Sequence, residues 1–355
     1  METKNEKNGT SLSETASTLY APSWVDRLTA WIDKLPGKSW MYYVGTWIAL
    51  FLVMTMVSWI ETSSSFGSYF AIQLFFSVFL PFCIGFIFYL DDMAVRSLKE
   101  FQPVLETDDF EYELLQYRLT TLPARPAFMS GLILLTFMIM VDIFLGLPSA
   151  IDVMREAPIS FVLLYVVYKT STFVFGTLIY HTIHQLRWVN RIYTHYSKID
   201  LFDLGPLHSL SKLTALTAGG IILVMYLYFA VNPGTFSDFR AVAIGMIFVL
   251  IAVFTFIWPL RGAHGLIKKE KELLLHEGSA RFKALSIELH RRIETNDLKD
   301  VGQINAAMAG LETERIAIKR ISTWPWQPET LRTLVTTILA PIGIWLLQYI
   351  LSKLM

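Results

Sequence analysis

Residues 69–90 read YFAIQLFFSVFLPFCIGFIFYL, an apolar run without a single charge, and residues 91–92, Asp-Asp, end it abruptly. A helix needs roughly 20 apolar residues to cross a ~30 Å hydrocarbon layer at about 1.5 Å per residue. Six more blocks of that kind occur: Met41–Ile60, Ala127–Leu147, Ile159–Ile183, Leu216–Val231, Ala241–Leu260 and Thr333–Leu351. The fifth span, Leu216–Val231, is the shortest. Lipid cannot satisfy the unpaired backbone groups of an open sheet, and the blocks lack the alternation of a barrel strand. The expectation is an all-α, polytopic membrane protein with about seven transmembrane helices.

Composition agrees. Of 355 residues, 54% are A, V, I, L, M, F, W, Y or C and 17% are charged, against about 25% charged in soluble domains. Lys plus Arg equals Asp plus Glu, so no charge excess points to nucleic acid. The single cysteine, Cys83, excludes an internal disulfide.

Lysine and arginine in the short loops orient the spans. The connections after spans one, three and five hold only Arg155 and Arg240 between them; those after spans two, four and six carry Arg96, Lys99, Arg118 and Arg125, then Arg187, Arg191, Lys198 and Lys212, then many more. The reading is a multi-pass protein of the cell membrane with a cytoplasmic N-terminus and an extracellular C-terminus. Residues 1–22 read as a disordered tail and 23–40 as an interfacial amphipathic helix with a stripe of Trp24, Leu28, Trp31 and Leu35. Residues 41–260 read as a six-helix bundle with cytoplasmic loops 91–126 and 184–215. Residues 261–331 read as a cytoplasmic helical hairpin, broken at Thr295–Asn296–Asp297 and closed by a Trp-Pro elbow, and 332–355 as the last span. In the elbow, Trp324 and Trp326 are expected at headgroup level, while Pro325 and Pro328 break one helix and start the next.

Ionisable residues inside a span are costly and functional by default. Asp142 in span three and Lys169 in span four lie at similar depth and are expected to pair. On the last span Thr333, Thr337, Ala340, Ile344 and Gln348 follow one helical stripe, which faces protein or water rather than lipid. Lining a pore, Ile344 would be a hydrophobic constriction and Gln348 a polar ring; packed against a neighbour, the small residues would allow close approach. His181 and His184 share a face as a metal pair does, but no third ligand follows at matching spacing. Arg187, Arg191 and His195 read as a basic, headgroup-facing stripe. Asp91–Asp92 lacks the further Asp residues that membrane transferases need, and no H-E-x-x-H, G-x-S-x-G or phosphate loop is present. No enzyme and no cofactor are expected.

This plan resembles the insect chemoreceptor-type seven-helix ion channels: inside N-terminus, short outer loops, long cytoplasmic extensions after spans four and six, and a last span ending at the C-terminus. Gln348-Tyr349 is similar to the end of the gustatory-receptor signature, with Pro341-Ile342 where its opening Thr-Tyr would stand. The resemblance implies a homo-oligomeric channel, anchored through Gly262–Ile321 and gated near Ile344 and Gln348. The run Leu-Thr-Thr-Leu-Pro-Ala-Arg-Pro (119–126) and the final span are similar to uncharacterised prokaryotic seven-helix membrane proteins, which implies no activity. Two functions follow as expectations: an ion channel in the lipid bilayer, open to gating by an unknown small ligand, or a non-conducting sensor or scaffold signalling through the hairpin.

Overall fold

The computed structural model describes residues 19–62, 70–145, 157–198, 200–231, 239–296, 299–339 and 343. Among them the chain is helical, with isolated bridges at Pro22–Pro123 and Leu105–Ser197 and no strand. We number the helices α1 (Trp24–Asp33), α2 (Ser39–Thr62), α3 (Phe70–Phe101), α4 (Asp109–Thr120), α5 (Ala124–Leu145), α6 (Pro158–His195), α7 (Leu207–Val231), α8 (Phe239–Ile257), α9 (Arg261–Glu294), α10 (Val301–Arg320) and α11 (residues 328–339). Among the described residues, six helices are long and apolar enough to cross a membrane: α2, α3, α5, α6, α7 and the run from α8 through a 3-10 turn into α9. Most of the seventh expected span, Thr333–Leu351, lies outside the described residues.

The apolar blocks mark these helices, but two helices run well past their blocks. α3 continues 11 residues beyond Leu90 and α6 12 residues beyond Ile183. Both extensions bury one stripe, Ala94–Leu98–Phe101 on α3 and Val189–Ile192–Tyr193 on α6. These residues join Leu115 and Leu119 of α4, Leu207, Leu210 and Leu213 of α7, and Ala263 and Ile267 of α9 in the larger core. The densest packing therefore sits at the polar end, where the long connections emerge. Toward the other end, Ile60, Ile133 and Ile143 are 79%, 68% and 71% exposed, tolerable in hydrocarbon and costly in water.

Helix contacts inside the apolar zone rely on shape. α5 and α6 cross where Gly131 meets Gly176: a Cβ on Gly176 would stand 2.7 Å from the Ser130 carbonyl oxygen and 2.9 Å from the Gly131 Cα. Small residues at such a crossing let backbones approach. At Gly220 of α7, the Phe86 ring fills the space a Cβ would need.

Three sequence expectations change. α1 ends at Asp33 and packs through Val25, Thr29 and Ile32, leaving Trp31 59% exposed. The protein thus covers a second face of this helix, beside the stripe of Trp24, Leu28, Trp31 and Leu35 expected to meet the membrane surface. Residues 19–22 belong to the folded chain, since the Ala124 amide donates to the Ala21 carbonyl; residues 1–18 lie outside the described set. Finally, at the expected break, Asn296 takes the left-handed conformation (φ 55°) that closes α9, a position Asn tolerates. α10 instead starts after Asp300 (φ 65°), and Asp297 is outside the described residues.

Replacing Gly176 with Ala should force α5 from α6 and cost about 1–3 kcal/mol, as overpacking typically does. Gly219→Ala, where the Cβ meets open space, should be neutral. Thermal unfolding of both variants in detergent checks this; equal melting temperatures would refute the tight crossing.

Candidate functional site

The intramembrane charges meet. Asp142, three residues from the end of α5, and Lys169, in the first third of α6, form an ion pair with side chains 17% and 11% exposed. The ammonium also lies 4.3 Å from the centre of the Tyr168 ring and 5.0 Å from that of Tyr165. Two aromatic faces and one carboxylate therefore replace the hydration Lys169 would lose.

A second polar cluster joins α3 and α6 where their apolar blocks end. His181 Nε2 lies 2.8 Å from Asp91 Oδ1, so the ring donates there if Nε2 carries the proton. One turn on, His184 Nε2 faces the Arg118 carbonyl at 2.9 Å and the Tyr20 hydroxyl at 3.2 Å. The two histidines thus serve different partners, and among the described residues no group of three or more His, Cys, Asp or Glu is placed to hold a metal. Gln185 reaches toward Asp91, Leu90 and Leu119 at 3.5 Å each. His181 Nδ1, Gln185 Oε1 and Asp26 Oδ1 are buried without a hydrogen-bond partner.

The N-terminal segment straps this cluster. Tyr20 donates its hydroxyl to the Thr121 carbonyl (2.7 Å) and accepts from the Tyr117 hydroxyl at its own carbonyl (2.6 Å). Burial, then the neighbouring Tyr117, Tyr180 and Asp26, push the Tyr20 phenol far above its ordinary range, so it stays a donor. Asp26 forms a capping box with Ser23 and accepts the Leu122 amide on the same oxygen, 3.0 Å away. One carboxylate therefore caps α1 and pins the α4–α5 connection.

At the opposite end of α6, Glu61 accepts the Ile159 and Ser160 amides at 2.8 Å each. It caps α6 from the end of α2, taking two of the orphan N–H groups every helix start leaves. The N-cap residue, Ala157, has no side chain to do so. Pro158 after a residue that cannot cap was the signal that an acid must come from elsewhere. Tyr20, Asp26 and Gln185 carried no comparable signal.

The elbow is built as a ring stack. Trp324 and Trp326 lie 4.4 Å apart, His264 stacks on Trp324 at 4.1 Å, and Phe256 stacks on Trp326 at 5.3 Å. Pro325 is buried, its carbonyl 2.9 Å from His208 Nδ1, and His264 Nδ1 is 3.0 Å from the Thr323 carbonyl. The tryptophans turn to protein because aromatic partners from α8 and α9 are within reach.

α11 begins at Pro328 and docks through Leu334 and Ile338, whose carbonyl accepts the Tyr226 hydroxyl at 2.8 Å. On its flank Thr333 is exposed and Thr337 half-buried, the latter donating to the Thr333 carbonyl. Ile344 and Gln348 lie outside the described residues. Comparisons with protein-family models, curated proteins and solved structures find no match for this chain.

Asp142→Asn strands a buried ammonium and should destabilise the protein by about 3–5 kcal/mol. Adding Lys169→Met should recover part of the loss, and a double variant no better than the summed singles would remove the coupling. Tyr20→Phe should cost about 1 kcal/mol and speed protease cleavage ahead of α1; unchanged cleavage would show that the strap does not hold the N-terminal segment.

Proposed function

We propose that this chain is a homo-oligomeric ion channel of the cell membrane. In this reading it has seven spans, a cytoplasmic N-terminus and an extracellular C-terminus. α9 and α10 form a cytoplasmic hairpin that joins subunits, and the last span stands at the shared axis with its Thr333–Gln348 stripe toward the pore. Ligand gating from the outer half of the bundle fits the Asp142–Lys169 pair there, since such a pair can rearrange around a charged ligand.

One observation carries the proposal. α9 and α10 are polar helices, yet Leu273, Ile287, Ile293 and Ile316 are 44–61% exposed on them. Within α9 only Ala263 and Ile267 are buried, and within α10 only Ile318, among the described residues. The two helices touch each other: Lys271 Nζ donates to the carbonyls of Lys319 and Ile321 at 2.9 and 2.8 Å. Their outward apolar side chains need a further partner, and covering each is worth about 1 kcal/mol. Identical subunits around an axis supply one, and the same axis would bring Thr333, exposed in the single chain, and the half-buried Thr337 toward their copies.

The same apolar surface would also serve a non-conducting sensor or scaffold that docks a cytoplasmic protein. Light scattering of the purified chain in detergent should give an oligomer, and Leu273→Glu with Ile287→Glu should shift it toward monomer. Planar-bilayer recordings should show currents altered by Ile344→Ala or Gln348→Ala. A monomer, or an oligomer that never conducts, would refute the channel and leave the scaffold.

A further inference from the structure

Two guanidinium groups share one indole. Arg118, in the last turn of α4, holds its guanidinium carbon 5.2 Å from the Trp188 ring centre, and Arg191 of α6 holds its own at 5.0 Å. Arg187, one residue before the tryptophan, is exposed beside them. Two guanidinium carbons each about 5 Å from one ring centre are at most about 10 Å apart, within the range where like charges repel.

Nothing in the described chain answers these charges. No ion pair involves Arg118, Arg187 or Arg191, and none of the three guanidiniums donates a hydrogen bond there. Several other arginines are paired: Arg96 with Asp92, Arg281 with Glu277, Arg291 and Arg292 with Glu288, and Arg315 with Glu312. The nearby acids are engaged elsewhere, Asp91 by His181 and Asp26 by two backbone amides. Each guanidinium offers five N–H donors in a fork that fits phosphate oxygens.

Depth selects the anion. Ile179 and Ile183 are 40% and 41% exposed on the apolar part of α6. Adding four residues twice gives Arg187 and Arg191 on that same face. The lipid-facing stripe thus passes directly into two arginines, about 6 and 12 Å beyond Ile183 at 1.5 Å per residue. Helical side chains lean toward the N-terminus, which here means back toward the bilayer, and Arg191 indeed lies over Trp188, three residues earlier.

We propose that Arg118, Arg187 and Arg191 bind the phosphate of an anionic membrane lipid, with the Trp188 indole lying against two of the guanidiniums. The site rests on the membrane reading of α6 and not on conduction. Arg118 matters most for specificity: it comes from a different helix, so the lipid phosphate bridges α4 to α6 at the polar end.

The test is thermal unfolding of the full chain in neutral detergent, followed by tryptophan fluorescence, with phosphatidylglycerol, phosphatidylcholine or inorganic phosphate added. Phosphatidylglycerol should raise the melting temperature by several degrees, and the other two should not. Arg118→Gln with Arg191→Gln should remove more than half of that response, whereas Arg281→Gln should keep it. If the double variant does not fold, Arg187→Gln, at an exposed position, makes the same comparison. An undiminished response in the arginine variants overturns the site; an equal response to phosphatidylcholine overturns the charge recognition. An equal response to inorganic phosphate assigns the site to a free anion and overturns the lipid. A channel that proves silent leaves the site intact, whereas a chain that stays soluble without detergent removes the membrane reading on which it rests.

Discussion

Hydrocarbon offers no hydrogen bonds, and that constraint orders this molecule. Several polar side chains in the apolar zone turn back onto the chain itself. Ser130 donates to the Ala127 carbonyl, Ser171 to Val167, Thr172 to Tyr168 and Thr217 to Leu213. Lys169 has Asp142 and two aromatic rings. The start of α6 hands two amides to Glu61. Each of these contacts removes a donor that lipid could not satisfy, so the apolar helices can stand side by side without water.

The same constraint explains why the two ends of the bundle are built differently. Where water is excluded by lipid, burying one apolar side chain against another gains little, and the helices meet by shape, as Gly131 and Gly176 do. Beyond the apolar blocks water returns, and with it the hydrophobic drive. There α3 and α6 continue as amphipathic helices and gather α4, α7 and α9 into a core that includes Phe101 and Tyr193, edge to face at 5.4 Å. The polar end is thus a small soluble-type domain grown on the ends of apolar helices.

This division also sets what the sequence could reveal. The apolar blocks were legible because length and charge exclusion leave few alternatives. Asp142 and Lys169 were legible because each is a lone charge at similar depth. The extensions were harder. Positions 90, 94, 98 and 101 do fall on one helical face, but block hydropathy averages such a stripe away. Tyr20 and Asp26 were misplaced because their partners lie about a hundred residues away and a polar, Ser-rich neighbourhood looks solvated. The tryptophans of the elbow read as headgroup anchors in the sequence, and their ring stack becomes visible only once Phe256 and His264 are placed beside them.

The elbow ties these levels together. Residues 322–327 stand between α10 and α11, and they hold to α7 through His208, to α8 through Phe256 and to α9 through His264. Both histidines face a carbonyl through Nδ1, which must therefore carry the proton. The start of α11 is thereby tied to α7, α8 and α9 at once. Any displacement of Thr333 must then come with the movement of α9 itself, through its lysine contact to the end of α10 or through whatever covers its exposed face.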